Sequence, residues 1–206
     1  MAINLFDIEK NLSPEIIELC QLYARINRGM MREKMYTFLA SAIISSPIKP
    51  TDFLVEIGTF HGLTATFMAR LLQLTNKNNK ILSIDPFGRL DNASVIGKYP
   101  KYMENTSRYE VEKQCFALTA FSHQAYSFLK DEIPFIMVDG SHKYADVRID
   151  LETYLPKLKR GGFAYLHDNS EKRYPGVFKA INDTVRNNPK YKILVDDFYV
   201  ILQKLV

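Results

Sequence analysis

Long apolar runs are missing from this chain of 206 residues. No stretch approaches the roughly 20 apolar residues that a membrane-spanning helix needs. The first residues, MAINLFDIEKNLSPE, carry acids where a secretory leader carries bases and an apolar run. Cysteine occurs only twice, as Cys20 and Cys115, far apart and among apolar neighbours. Such residues read as reduced core thiols of a reducing compartment rather than as a disulfide. A cytoplasmic protein is the expectation. No block of like charge stands out: the formal net charge is only +4 and the lysines and arginines are scattered, so neither nucleic acid nor a membrane is an expected partner. No repeat, low-complexity tract or linker divides the chain, and one domain over residues 1–206 is expected. Histidine is also scarce, with four in all, which makes the place of each one informative.

Apolar residues make up 47% of the chain, ample for a globular core. The first fifty residues form a helical extension. Ser13-Pro14-Glu15 supplies a capping hydroxyl followed by proline at the first helical position, and Ile16, Ile17, Leu19, Cys20, Tyr23 and Ile26 recur near helical spacing. Gly29 interrupts, a second helix is expected over about 32–44, and Pro47 and Pro50 close the segment. From residue 52 short apolar runs alternate with amphipathic stretches. Strands are predicted at FLVEIG (53–58), KILSID (80–85), CFALTAF (115–121), PFIMVDG (134–140) and GGFAYLHD (161–168), with Gly161-Gly162 as the turn into the last. Helices are predicted at 63–74, 147–158 (frayed by Pro156) and 176–188. KILVDDFYVILQKL (192–205) reads as two strands joined at Asp196-Asp197. This alternation predicts an α/β fold: a Rossmann-like, doubly wound sheet of seven strands, mostly parallel with one antiparallel edge strand, after the N-terminal helices. The polar stretch 87–113 reads as a lid with a helix inside it. Its aromatics Phe87, Tyr99, Tyr102 and Tyr109 fit either a bound ring or packing of the lid.

The polar residues fall where such a sheet binds ligands, outside the carboxyl ends of its strands. His61 follows the first predicted strand, His123 the third and His142 the fourth, and His167 ends the fifth. Asp85 ends the second, Asp139 the fourth, and Asp168-Asn169 closes the fifth. Short loops are polar in any case, but all four histidines at strand ends point to a crevice.

The first loop, EIGTFHG, has glycines at 58 and 62 bracketing a tight turn into a helix. It is not the G-x-G-x-x-G dinucleotide fingerprint, since the glycines are four apart and an acid precedes them. No lysine follows to make a phosphate loop, which disfavours a nucleotide-dependent oxidoreductase. Glu56 suits a cationic or amino-acid-like ligand, and Asp85 at the tip of the second strand suits ribose hydroxyls. Together they describe a pocket for S-adenosylmethionine.

VEIGTFHGLTATFMARLL, ILSIDPFG and IMVDGSHKYADVRIDLETYLPKLKRGGFAYLHD are similar, in order and spacing, to class I S-adenosylmethionine-dependent methyltransferases. Residues 52–206 most resemble the small-molecule O-methyltransferase group (methyltransferase family 24) that includes the macrocin and mycinamicin methyltransferases and the cephalosporin-hydroxylase-like proteins. The first motif also looks like that of catechol O-methyltransferase. The resemblance implies methyl transfer to a hydroxyl of a sugar, polyketide-like or phenolic small molecule. A cofactor-binding protein without transfer is the alternative, as among the hydroxylase-like relatives. The other partner left open is a second copy of the chain in a homo-oligomer.

Residue by residue, the resemblance implies that Glu56, Gly58, Thr59 and Gly62 hold the amino-acid end of the cofactor. Asp85 would hold its ribose, and Ser122 with His123 would lie beside adenine; an ordinary helix cap is the other reading of Ser122. Relatives bind Mg²⁺ through an acid after the fourth strand and two acid or amide ligands after the fifth. The matching residues are Asp139, Asp168 and Asn169, oxygen donors of the kind Mg²⁺ takes. Sugar-modifying members carry an acid where this chain has His167, and histidine is a poor magnesium ligand. Either the Asp-Asn pairing applies or the metal is absent. His142, three residues beyond Asp139, matches the catalytic base of the sugar O-methyltransferases. Tyr144 is expected to pack against the following helix.

Overall fold

In the computed structural model the described residues are 4–27, 30–88, 98–129 and 132–206. Strands β1 (Phe53–Ile57), β2 (Lys80–Asp85), β3 (Cys115–Thr119), β4 (Ile133–Val138), β5 (Leu158–Leu166), β6 (Tyr191–Asp196) and β7 (Val200–Lys204) form one sheet in the order β3-β2-β1-β4-β5-β7-β6. All neighbours pair in parallel up to β5; β7 then runs antiparallel between β5 and the outermost β6. The Rossmann-like doubly wound sheet is therefore mostly parallel, with its antiparallel pairing confined to the β6–β7 side.

Alternation along the strands assigns each side chain to a face. Leu54, Phe135, Met137, Phe163, Tyr165 and Ile201 join the core under helices α1 (Leu5–Lys10), α2 (Pro14–Ile26), α3 (Glu33–Ser45) and α4 (Leu63–Leu74). Val55, Ile57, Ile136, Val138, Ala164, Leu166 and Leu202 join a second core, under α7 (Tyr144–Tyr154) and α8 (Pro175–Ile181). Helix α3 is buried from Met35 to Ile43. Full burial of Phe38 and Leu39 alone contributes about 1.5–3 kcal/mol each. Tyr23 and Tyr36 meet Phe67 of α4 at ring centroid distances of 5.4 and 4.6 Å. The N-terminal helices thus share the main core and form one wall of the molecule.

Several predicted boundaries shift. α1 was not foreseen; Asn4 caps it by accepting from the Phe6 amide. α7 begins at Tyr144, three residues before its predicted start, and passes into a 3-10 turn at Leu155–Lys157, where Pro156 breaks the hydrogen-bond ladder. β5 begins at Leu158, so Gly161 and Gly162 lie inside it. Gly162 is needed there, because a Cβ would stand 2.9 Å from the carbonyl oxygens of Pro134 and Lys159. Within 87–113, α5 (Lys98–Arg108) is the expected helix, while 89–97, like Gly29, lies outside the described residues. Tyr102 is buried against Phe87, and Tyr109 packs on Tyr23; of the two readings of these aromatics, packing holds. Cys20 and Cys115 are free, buried thiols. No described helix is long and apolar enough to cross a membrane.

The strand order reverses at β1, whose neighbours are β2 on one side and β4 on the other. A ligand crevice belongs at such a switch point. There the loops after β1 and β4 touch through backbone alone: Gly58 has φ +78°, and a Cβ on it would lie 2.2 Å from the Asp139 carbonyl oxygen. Gly58→Ala should destabilise the fold by about 2 kcal/mol or more, from the left-handed backbone and the clash together, lowering Tm by roughly 5 °C. Thermal melts of the purified variant measure this. An unchanged Tm would contradict the close approach.

Candidate active site

Strands β2, β1, β4 and β5 end on one open cleft of about 1360 Å³, and all four histidines line it. Pockets for a single small ligand run to about 1,000 Å³, so this one has room for a cofactor and an acceptor together. The wall opposite the strand ends comes from the N-terminal segment, with Ile26, Met30, Met31 and Met35.

Asp85, at the tip of β2, is 8% exposed and lines the cleft. Its Oδ2 accepts from the amides of Thr59 (2.9 Å) and Phe60 (3.1 Å), and its Oδ1 from the Phe87 amide (2.7 Å). A carboxylate has about four acceptor sites, so three bonds to the loops leave one for a ligand hydroxyl. Thr59 Oγ1 is buried on the cleft wall near the Glu56 carboxyl and makes no hydrogen bond of full geometry. Gly62, the N-cap of α4 with φ +77°, leaves space that the Tyr102 ring fills, since a Cβ would stand 2.4 Å from it. The glycine's role there is packing.

Glu56 does not reach the cleft wall. Strand alternation turns it, with Leu54, toward the N-terminal helices, where it is 1% exposed and accepts from Ser83 Oγ at 2.7 Å, its parallel partner on β2. Burial, with the charges of Asp139 and Asp85, pushes its carboxyl up to about 8 against the hydroxyls of Thr59 and Ser83. Glu56 is thus a largely neutral acid beneath the first loop, and direct contact with a ligand is corrected to support of that loop.

Ser122 and His123 open the short helix α6 (Ser122–Ala125), and both line the cleft. Ser122 Oγ donates to Asp150, and Tyr154 donates to the Ser122 carbonyl at 2.7 Å. Ser122 therefore ties α6 to α7. Asp150 was not foreseen. It is 3% exposed on the cleft wall, and burial lifts its carboxyl to about 6 even though Ser122 donates to it. A signal existed: Val147, Asp150, Leu151 and Tyr154 make one buried helical stripe, in which an acid is out of place.

At the ends of β4 and β5, Asp139, His167 and Asp168 converge, with one donor atom from each within 4.8 Å of the others. His167 Nδ1 lies 3.2 Å from Asp139 Oδ1 and 3.1 Å from Asp168 Oδ1. Neither contact has hydrogen-bond alignment, and both ring nitrogens lack a hydrogen-bond partner among the described residues. Burial alone would lower the imidazole's pKa. The two carboxylates outweigh it, Asp139 first, and lift it to about 10. Burial likewise raises the Asp168 carboxyl, but His167 and then His142 outweigh it and hold it below its ordinary value. This set of two carboxylates and an imidazole fits a divalent cation. Asn169, expected as a third ligand, keeps its Oδ1 buried without a hydrogen-bond partner among the described residues. Its Nδ2 donates to the Asp197 carbonyl (2.7 Å) and Asp196 Oδ1 (3.1 Å), turned toward the β6–β7 connection. The reason is Asp168, whose φ of +60° breaks strand alternation.

His142 Nε2 lies 2.8 Å from Asp168 Oδ2, and its ring packs on Tyr174 at 4.3 Å. The side chain is half exposed on the cleft. An ionised carboxylate only accepts, so the pair puts the proton on Nε2 and leaves Nδ1 as the acceptor nitrogen. Gly176 of α8 allows the fit, since a Cβ there would stand 2.4 Å from the His142 carbonyl oxygen. Tyr144 starts α7 and donates to Asp183.

A sequence profile described as a methyltransferase domain matches residues 55–169, from β1 through Asn169. The O-methyltransferase NovP superposes with a TM-score of 0.66 at 17% identity, covering 82% of this chain and 78% of that one. A Bacillus cereus O-methyltransferase solved with S-adenosylhomocysteine gives 0.63 at 15% identity, covering 95% and 93%. The Sinorhizobium fredii protein y4gI is 22% identical over 123 residues, which are 59% of this chain but only 13% of that relative's length.

The neutral Glu56 has a consequence for stability. A buried acid whose pKa rises from 4.5 to about 8 contributes stability that is full below the lower value and is lost as pH rises through the upper one. Glu56→Gln keeps the shape of the protonated acid and removes its titration. The variant's Tm should therefore gain on the wild type steadily between pH 5 and 9. Parallel curves would mean that Glu56 is ionised in the fold.

Proposed function

We propose that this chain, which belongs to the methyltransferase-domain family, is an S-adenosylmethionine-dependent methyltransferase that methylates a hydroxyl oxygen of a small molecule. The observation that carries this reading is the His142–Asp168 pair: an imidazole fixed by a carboxylate, half exposed on a cleft with room for a second ligand.

Transfer breaks the S–CH₃ bond of the sulfonium, forms an O–CH₃ bond, and releases S-adenosylhomocysteine and the hydroxyl proton. The sulfonium supplies the leaving group, so this chain's residues have three tasks: to bind, to align and to take a proton. The Asp85 carboxylate, already bonded to both loops, supports ribose binding with its remaining acceptor site. Gly58 and Thr59 border the same part of the cleft. Ser122, His123 and Asp150 form the wall after β3 and suit the adenine edge. His142 Nδ1 takes the hydroxyl proton, and Asp168 steadies the imidazolium that results. A divalent cation bound by Asp139, His167 and Asp168 would supply positive charge that favours the ionised acceptor. The apolar wall of Met30, Met31 and Met35 suits the acceptor's carbon frame, as polarizable side chains fill irregular shapes.

His142→Gln should lower the methyl-transfer rate by about 100-fold or more, the usual scale of general base catalysis. Affinity for S-adenosylhomocysteine should stay unchanged, because His142 is not among the groups assigned to the cofactor. Single-turnover transfer to a panel of hydroxylated sugars and phenols, with calorimetry for the product complex, reads both. A variant as fast as the wild type would remove His142 as the base. Parallel losses of rate and affinity would make it structural.

A further inference from the structure

The donor set at the ends of β4 and β5 has a chemical preference of its own. His167 is 7% exposed, yet neither ring nitrogen is hydrogen-bonded among the described residues. A buried ring nitrogen without an aligned partner is costly, and here only the charges of two carboxylates offset that cost. Its Nδ1 is aimed between two carboxylate oxygens, 3.2 and 3.1 Å away, without the alignment of a hydrogen bond to either. Two donors that share a six-coordinate ion at about 2.1 Å, at right angles, are about 3 Å apart. Both carboxylate oxygens thus stand from the ring nitrogen at the separation of donors to a common centre.

Consecutive residues of an extended strand point to opposite faces, so His167 and Asp168 could not both reach this point from regular β-structure. The backbone of Asp168 at φ +60° brings them together. That left-handed conformation is unfavourable for a residue with a Cβ. It is held from behind, where the Asn169 amide donates to the Phe198 carbonyl at 2.7 Å and its side chain is tied to Asp196 and Asp197. On the other side His142 engages Asp168 Oδ2 and leaves Oδ1 facing His167. Partners of this kind fix how a ligand side chain is presented.

We infer that Asp139, His167 and Asp168 form a mixed nitrogen–oxygen site for a divalent first-row transition ion, such as Mn²⁺ or Zn²⁺, in preference to Mg²⁺. Imidazole suits such ions, whereas Mg²⁺ takes oxygen donors and keeps its waters. The site's open side faces the cleft, where an acceptor oxygen or water completes the coordination. The inference deepens the proposed function and rests on it for the use of the ion, while binding itself can be measured alone.

The test uses protein stripped with a chelator, then calorimetric titration with Mn²⁺, Zn²⁺ and Mg²⁺ separately. One Mn²⁺ or Zn²⁺ per chain is expected, held roughly tenfold or more tighter than Mg²⁺. Pulsed electron paramagnetic resonance of the Mn²⁺ complex should show coupling to a nitrogen nucleus. His167→Asp should lose that coupling and gain Mg²⁺ affinity, and His142→Gln should keep it. Asp139→Asn, as a second variant, should weaken every ion. S-adenosylhomocysteine affinity, measured on each sample, reports that the cleft is intact. Three results would overturn the inference: no ion binding above the Asp139→Asn level, Mg²⁺ binding as tightly as Mn²⁺ and Zn²⁺, or nitrogen coupling that survives His167→Asp. Methyl transfer to a hydroxyl without selective metal binding would sink the metal site alone. Selective binding with no transfer to any hydroxyl would sink the proposed function alone.

Discussion

Backbone contact between Gly58 and Asp139 is the constraint on which the cleft depends. The sheet reverses its order at β1, and the loops on either side of the reversal would ordinarily diverge and leave a gap. Here they close on each other so tightly that the position tolerates no side chain, a Cβ falling 2.2 Å from the Asp139 carbonyl. The Gly58 amide still bonds to Ile84 and the Asp139 amide to Ile57, so the ladder runs one residue past the strands. With the floor fixed, Asp85, Asp139 and Asp168 occupy set places around it. The cofactor side and the chemical side of the cleft are then two halves of one rigid rim.

Acids crowd this rim, and each is accommodated by a different physical device. Asp85 is satisfied by three backbone amides, which also fasten the loops after β1 and β2 together. Glu56, buried outright, sits as a neutral acid. Asp150 is lifted to about 6 by burial and steadied by Ser122. Asp139 and Asp168 share His167. Unpaired carboxylates so close together would repel strongly in a low dielectric. Lysines and arginines that also line the cleft, among them Arg32, Lys34, Lys143 and Arg173, balance these acids.

Much of this was legible in the chain because period and punctuation agree. The runs at 53–58, 80–85 and 134–140 each end in a polar residue at a strand tip, and all four histidines do line the cleft. The misses have physical causes. Glu56 was assigned to the ligand by its place in a motif, but alternation from Leu54 already put it on the face of the N-terminal helices. Asn169 was paired with Asp168 through the family resemblance, and no one-dimensional pattern encodes the left-handed turn at Asp168 that brings His167 beside it. Asp150 hid inside a helix whose other buried positions are apolar. Helix α1 escaped because a helix of six residues has too few turns to show a period.

Asp168 joins the two halves of the chemistry, since its oxygens have different partners. Oδ1 faces His167 and Oδ2 faces His142. A charge placed near Oδ1 is felt at His142 through one shared carboxylate, and a proton gained by His142 is felt at the trio. In the proposed reaction, proton removal and acceptor positioning would thus be coupled through this single side chain. That coupling explains why a residue with an unfavourable backbone conformation stands at this point, braced by Asn169, Phe198 and the Arg186–Asp196 ion pair. Relaxing the turn to ordinary strand geometry would swing either His167 or Asp168 out of the cleft. Asp196 ends β6, Phe198 lies in the turn to β7, and Arg186 ends the helical segment before β6. The antiparallel side of the sheet thereby holds the backbone turn that brings His167 and Asp168 together.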